Sequence, residues 1–340
     1  MTATTTAKSP PKTTTKKTKG ALVARVGKKD DAGEKPPQPF GRRVFRVSLK
    51  VARPYFWLIS VWTYVLPTGM QGDLLWRLRY WVGVAYSTYP ANLLVYLMND
   101  LADVEVDALN PRKNSSADFG TGAKERLATL QAVKPLAGLI QIPFLAYFCL
   151  YINPLWVALW FGTTYTINWS YNYGPHFSSN YPPMDLLVPG GYMGFAPLSV
   201  MLNGTEPVNL RSWIHMYVFV VRGQFWMQTF DIEPDAAAGR RTTAVVLGRW
   251  GSYAVLALML VLENIFVVYC FSSIHLRLFS AGSFLILLAQ VVTDYRRGVP
   301  ITIQSIKTTF LCFGLAGFGL MVQTWRTGSF ADAGSSGRCS

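Results

Sequence analysis

From Arg53 onward the chain is a succession of apolar runs, each close to the roughly 20 residues that an α-helix needs to cross a bilayer core. They fall at 54–71, 80–101, 130–150, 154–173, 185–203, 212–230, 250–271, 274–293 and 306–326. So many long, nearly uncharged stretches predict an all-α integral membrane protein, a nine-transmembrane-helix bundle. A soluble helical protein is the alternative. Only 15% of the residues are charged, against roughly a quarter in soluble domains, which argues against it. Aromatic residues make up 14%, more than a lipid-facing surface needs, so some of them are expected to line a cavity.

The net charge of +14 is concentrated at one end. Met1 to Arg53 holds 14 Lys/Arg against 3 Asp/Glu, leaving the remaining 287 residues nearly neutral. A basic tail on an apolar body excludes a nucleic-acid-binding domain and leaves membrane lipid as the surrounding partner. The first forty residues are mostly Thr, Lys, Pro, Ala and Gly and cannot bury enough apolar surface to offset chain entropy. Residues 1–50 are therefore read as a disordered basic tail, 51–328 as the membrane domain and 329–340 as a flexible C-terminal tail. Residues 1–29 lack acids, as transit peptides do, yet they are Lys-rich and show no amphipathic helix. No apolar signal-peptide region opens the chain, so secretion is not expected. Oligomeric state has no signature in the sequence.

Cys149, Cys270, Cys312 and Cys339 form no pair at metal or disulfide-framework spacing, and His176, His215 and His275 stand far apart. Zinc, haem and Ser-His-Asp chemistry have no foothold here. With nine spans, the tail and the connections carrying Arg112/Lys113/Lys124/Arg126, Arg240/Arg241/Arg249 and Arg296/Arg297 share one side, which the positive-inside rule makes cytosolic. The tail's composition and the sequon Asn203-Gly204-Thr205 fit a eukaryotic source, with the endoplasmic reticulum as the expected membrane. Asn203-Gly204-Thr205 on the opposite side is a glycosylation sequon, read as unused.

Acids are scarce, so their clustering carries information. The second run ends Asn99-Asp100-Leu101-Ala102-Asp103-Val104-Glu105-Val106-Asp107, and the sixth ends Asp231-Ile232-Glu233-Pro234-Asp235. Asp100, Asp103 and Asp107 share one face of a continuous helix, with Asn99 one turn before Asp103, and Asp231 and Asp235 are one turn apart. Carboxylates converging at a membrane boundary repel unless cations sit between them. Oxygen-only ligands favour a hard ion, and Mg²⁺ takes a few carboxylates together with phosphate oxygens. Asn99, Asp100, Asp103, Asp107, Asp231 and Asp235 are the candidate metal ligands. Arg112, Lys113, Lys124, Arg240 and Arg241, with Asn99, are candidates to hold a diphosphate.

Asn99-Asp100-x-x-Asp103-x-x-x-Asp107 resembles the first aspartate-rich motif of the UbiA superfamily of intramembrane prenyltransferases, and Asp231-x-x-x-Asp235-x-x-x-Gly239 resembles the second. Asn110-Pro111-Arg112-Lys113 and Gly239-Arg240-Arg241-Thr242-Thr243-Ala244 look closest to lycopene-elongase-like branches. Arg53-Pro54 resembles the family's opening of helix one, so the likeness covers about residues 50–328. It implies a central cavity opening to the cytosolic side and Mg²⁺-dependent ionisation of an isoprenoid diphosphate of farnesyl or geranylgeranyl size. Asp100, Asp103, Asp231 and Asp235 would be catalytic. Tyr96, Tyr165, Trp169 and Tyr173 would stabilise the allylic cation, unless each is simply a packing or interfacial residue.

Two departures matter. Arg112-Lys113-Asn114-Ser115-Ser116 stands where quinone-type and haem-type members carry an Arg-Thr and Arg-Pro run, which points to secondary terpenoid metabolism. Pro234 predicts that the helix kinks or restarts before Asp235. The cation's fate then divides between transfer to an acceptor, the preferred reading, and cyclisation by the substrate's own alkene. An ion-coupled transporter is the remote alternative, and transporter acids sit mid-span rather than at span ends. Arg222, inside the sixth run, needs a partner, either a phosphate or Glu263. Asp185 is expected to cap the fifth span or to orient a basic phosphate ligand, and Asn168 and Asn172 to touch an acceptor or bond across helices.

Overall fold

The computed structural model describes residues 40–109, 123–176, 178–297 and 303–330. Among them every regular element is helical. The chain-order elements are α1 (Phe40–Val51), α2 (Trp57–Val65), α3 (Leu78–Tyr86), α4 (Tyr89–Ala102), α5 (Val104–Leu109), α6 (Ala123–Leu139), α7 (Gln141–Phe148) and α8 (Pro154–Tyr173). They continue as α9 (Met184–Leu187), α10 (Phe195–Asn203), α11 (Leu210–Thr229), α12 (Ile232–Ala237), α13 (Thr243–Cys270), α14 (Ile274–Arg297) and α15 (Ile303–Thr327).

The long helices start where capping chemistry tells them to. Asn153 Oδ1 accepts from Leu155 N–H at 2.9 Å with Pro154 in the first turn of α8, Asn209 Oδ1 accepts from Ser212 N–H at 2.9 Å, and Thr242 Oγ1 accepts from Val245 N–H at 3.3 Å. Each satisfies a backbone donor that the helix leaves orphaned.

Three helical runs, Met184–Asn203, α13 and α14, are long and apolar enough to cross a membrane by length and composition. The expected uninterrupted spans elsewhere are divided or more polar. The 80–101 run breaks at Ser87-Thr88 before Pro90, which opens α4, and the 130–150 run breaks at Ile140 between α6 and α7. Proline and buried polar side chains interrupt these helices, and a break at membrane depth is tolerated where neighbours re-satisfy the backbone. The outer faces of α13, α14 and α15 expose Leu258, Leu262, Ile265, Leu285, Leu315 and Phe318. An apolar surface of that extent suits lipid, not water.

The described helical body packs on both sides of the 51–328 range. On the N-terminal side α1 packs on α4 and α6: Val47, Val51 and the following Ala52 are buried there, and Ser48 shares a 2.6 Å hydrogen bond with the Tyr89 hydroxyl. At the other end the packed body reaches Phe330, which is buried against Trp62, His215 and Phe271 and accepts from Ser212 Oγ at 3.0 Å. Deleting residues 2–39 is accordingly expected to leave the intrinsic rate of the inserted enzyme unchanged. Deleting through Val51 should reduce correctly inserted protein severalfold, as read by detergent-solubilised monodisperse yield, because it uncovers α4.

Two polar expectations resolve inside the bundle. Arg222 pairs with Glu263, Nε to Oε2 at 2.5 Å, and the His215 ring lies 3.6 Å from the same carboxylate. Asn203 is buried and donates to the Tyr64 hydroxyl at 3.0 Å and to the Ser199 carbonyl at 3.0 Å. The sequon asparagine is thus committed to packing, in line with its reading as unused.

Candidate active site

The first acidic stretch sits where α4 gives way to α5. Asp103 has left the helical region (φ −100°, ψ 9°), although its N–H still reaches the Asn99 carbonyl at 3.0 Å. The expected single helical face of Asp100, Asp103 and Asp107 is therefore broken. Asp107 forms a 2.6 Å ion pair with Arg126 of α6, both nearly fully buried, which ties α5 to α6. Glu105 is exposed, as its offset from the motif face predicts.

Asp100 and Asp103 are each matched by an arginine from a distant part of the chain. Arg53 donates to Asp100 Oδ1 at 2.6 Å and to Asn99 Oδ1 at 3.2 Å, with its guanidinium 4.2 Å from the centre of the Tyr96 ring. Its backbone is left-handed (φ 49°) just before Pro54, a conformation that costs a non-glycine residue about 1–3 kcal/mol and that its side-chain contacts help to hold. Arg240 donates to Asp103 Oδ1. Burial disfavours the charge on both arginines, yet Asp100 beside Arg53, and Asp103 and Asp235 beside Arg240, hold their pKa values above the ordinary guanidinium value. Both stay charged, and they offset the repulsion among the carboxylates.

The second stretch behaves as Pro234 predicts: the helix ends at Thr229 and restarts as α12, with Asp231 as its N-cap and Asp235 N–H bonded to the Asp231 carbonyl at 2.9 Å. Gly239 then turns the chain back with φ +77°, a region that suits glycine. That turn brings Arg240 N–H to 2.9 Å from the Asp235 carbonyl and swings the guanidinium onto Asp103. Because α12 also packs on α5, the two acidic stretches meet with Arg240 between them.

Other expected site residues fall in three groups. Arg112 and Lys113 lie outside the described residues, and Lys124 is in the first turn of α6. Arg241 is exposed, with its N–H bonded to Asn180 Oδ1 at 2.6 Å. Of the aromatic candidates only Tyr96 is enclosed; its hydroxyl pairs with that of Tyr192. Tyr165, Trp169 and Tyr173 are 45%, 47% and 47% exposed; Tyr165 faces α4 across a small pocket, and the Tyr173 hydroxyl donates to the Met98 carbonyl at 3.4 Å. α8 packs mainly against α4 and the 188–194 turn.

Several participants gave no motif signal. Asp185 is completely buried and accepts from Thr243 N–H at 2.6 Å, Thr243 Oγ1 at 2.5 Å and Gln228 Nε2 at 2.9 Å. It caps α13 across the fold, not its own span, and ties α13 to the end of α11 that carries Asp231. Tyr171 lies within electrostatic reach of Asp103 and Asp235 and accepts from Gln224 at 3.0 Å. Asn99 Nδ2 donates to Asp103 Oδ2 and to Asn172 Oδ1, both at 3.1 Å, and Asn172 Nδ2 donates to the Asn168 carbonyl at 2.8 Å. The asparagines of α8 thus bond across helices directly beneath the acids.

The donor set suits a hard cation: Asn99, Asp100, Asp103, Asp231 and Asp235 offer only oxygen, and the two stretches that carry them touch. Among the described residues no three acidic, histidine or cysteine side chains are grouped closely enough to hold a metal ion in this conformation. Asp100 and Asp103 are engaged by guanidiniums, so a bound ion would require Arg53 and Arg240 to change partners.

A model of the UbiA prenyltransferase family matches residues 56–318, most of the chain. The chain belongs to the UbiA prenyltransferase family. Two relatives of this UbiA-family protein are lycopene elongase/hydratases. That of Halobacterium salinarum is 28% identical over 216 residues, covering 60% of this chain and 72% of its own, and that of Haloferax volcanii is 27% identical over 240 residues, covering 67% and 72%. A UbiA homologue from Archaeoglobus fulgidus, solved bound to GPP and Mg²⁺, has the same fold: TM-score 0.50 and 18% identity, covering 81% of this chain and 99% of that one. UbiA-family membership makes this chain a membrane prenyltransferase and bears out the likeness drawn from the two acidic motifs.

Proposed function

We propose that this UbiA-family enzyme ionises an isoprenoid diphosphate with the help of Mg²⁺ and transfers the prenyl cation to an acceptor, in secondary terpenoid metabolism. The observation that carries the reading is the meeting of the two acidic stretches through Arg240, with Arg53 on the opposite flank. Mg²⁺ held by Asn99, Asp100, Asp103, Asp231 and Asp235 would neutralise the diphosphate and make it a better leaving group. Arg53 and Arg240 are already charged and desolvated, and on exchanging carboxylate for phosphate oxygens they would hold the departing diphosphate with little reorganisation. Asp185 and Gln228 keep Asp231 and the Arg240 loop in register during that exchange. Tyr96, with its ring face already under a guanidinium, is the aromatic best placed to face positive charge.

The names of the two relatives support an alkene acceptor over a quinone precursor. Cyclisation of the diphosphate by its own double bond is the second reading, favoured by the Asn114-Ser115-Ser116 sequence that replaces the quinone-type run. The lysine- and arginine-rich connections support a cytosolic site. The tail's composition is the sole remaining support for the endoplasmic reticulum, because Asn203 is buried. Incubating purified enzyme in nanodiscs with geranyl, farnesyl and geranylgeranyl diphosphate, first without acceptor, tests the reading. A transferase should release diphosphate slowly to give an alcohol, and an alkene acceptor should raise the rate at least tenfold. Chelation should abolish turnover and added Mg²⁺ restore it. A cyclic hydrocarbon formed at full rate without acceptor would replace transfer by cyclisation, whereas undiminished turnover in strong chelator would sink the metal site.

A further inference from the structure

The first helix of the body presents three different faces. At 3.6 residues per turn, Arg42, Arg43, Arg46 and Lys50 of α1 fall within about 100° of the helix circumference, and all four are exposed. Val47 and Val51 occupy the next sector. They are buried, with Val44 packed beside them, in a cluster that includes Leu97 and Val104, which flank the Asn99–Asp103 stretch, and Leu130 of α6. The third sector holds Phe45, 54% exposed, and the half-buried Leu49. No acid lies within α1 to balance the basic stripe.

This division selects a surrounding. Water suits the four cations and leaves Phe45 exposed at a cost, whereas lipid tails suit Phe45 and not the cations. Both are satisfied at the level of the headgroups, where an aromatic edge meets the acyl boundary and long basic side chains reach outward. The position of α1 agrees, since it packs on α4 and α6 beside the acidic stretch at the membrane boundary. Charge then decides among headgroups. A zwitterionic headgroup has no net charge to offer, while an anionic leaflet adds about a fivefold factor in attraction for each Lys or Arg at its surface.

We propose that α1 recognises lipid: its Arg42/Arg43/Arg46/Lys50 stripe binds the headgroups of anionic phospholipid on the membrane face that carries the acidic site, with Phe45 set among the acyl chains. Occupancy has a route to that site. The Lys50 carbonyl accepts from Arg53 N–H at 3.1 Å, and the Ala52 carbonyl accepts from Trp57 Nε1 at 2.8 Å. The last turn of α1 therefore holds the left-handed turn from which Arg53 reaches Asp100. Lipid bound along α1 steadies Arg53, and turnover rises with the anionic charge of the leaflet. The lipid site rests on α1 alone; only its effect on turnover rests on the proposed reading of the acidic site.

The test places the full chain in nanodiscs of phosphatidylcholine, or of phosphatidylcholine and phosphatidylserine in equal parts. Native mass spectrometry counts the phosphatidylserine retained after transfer to detergent, and diphosphate release from geranylgeranyl diphosphate gives the rate. Wild type should retain phosphatidylserine over phosphatidylcholine and turn over severalfold faster in the mixed nanodisc. The combined variant Arg42→Gln, Arg46→Gln, Lys50→Gln should lose at least about tenfold in retention, match wild type in phosphatidylcholine and gain nothing from phosphatidylserine. Repulsion of the anionic substrate by a charged leaflet acts equally on both proteins and cancels in their ratio. Arg42→Lys with Arg46→Lys should keep the lipid, and Phe45→Ser should weaken retention at unchanged charge, deciding the matter if the combined variant does not insert. Equal retention by wild type, the combined variant and Phe45→Ser would overturn the lipid site. A raised KM of the combined variant in phosphatidylcholine alone would assign the stripe to the substrate's diphosphate and overturn it too. Retention lost with a rate insensitive to lipid would overturn the link to Arg53. No turnover by a wild type that still retains phosphatidylserine would overturn the diphosphate reading and leave the lipid site standing.

Discussion

Asp103→Ala is expected to lower diphosphate release at least about a thousandfold while the protein still inserts, the largest effect of any single substitution in the site. Two losses coincide at this position. One carboxylate of the metal-binding set disappears, and the guanidinium of Arg240, buried against Asp103, loses the partner that places it between the two acidic stretches. Asp100→Ala should be nearly as damaging, because Arg53 then loses its charged partner and keeps only the longer bond to Asn99. Asp231→Ala and Asp235→Ala should also inactivate. Glu105→Gln is the control: Glu105 is exposed, and its amide should retain wild-type turnover. The measurement is released diphosphate from purified enzyme of matched thermal stability. An active Asp103→Ala beside a dead Glu105→Gln would refute the site as drawn.

The second large effect concerns stability and not chemistry. Arg222→Ala should destabilise the bundle by about 3–5 kcal/mol, because it strands the Glu263 carboxylate, which is 2% exposed, inside the helices. Its head group lies nine residues before Asp231 on α11, too far along the axis to serve the diphosphate. Replacing both partners, as Arg222→Met with Glu263→Gln, should recover most of the loss, since no uncompensated charge remains. Thermal unfolding in detergent reads both variants, and Mg²⁺-dependent turnover at low temperature should survive in each. A double variant as unstable as Arg222→Ala would show that the cluster with His215 does more than neutralise charge.

The membrane class, the two acidic stretches and the oxygen-only donor set were legible because they follow from local properties: apolar run length, charge scarcity and the spacing of acids along a chain. Pro234 correctly signalled a helix restart for the same reason, since the missing N–H acts on the residues beside it. Where each carboxylate finds its countercharge was not legible. Asp100, Asp103 and Asp107 look equivalent by spacing, yet each meets a different arginine, Arg53, Arg240 and Arg126, and the break at Asp103 removes the common face. Asp185 looked like a cap for its own span and instead caps α13.

What the sequence determined by itself is therefore the list of parts: a helical membrane chain, its family, and the acids, arginines and aromatic residues that chemistry at a bilayer boundary requires. Only the tertiary structure decided their pairing. Arg53 and Arg240 reach their carboxylates through a left-handed backbone and a glycine turn. Ion pairing and burial depend on distances between elements remote in the chain. Those distances are set by packing, which no local window of sequence records.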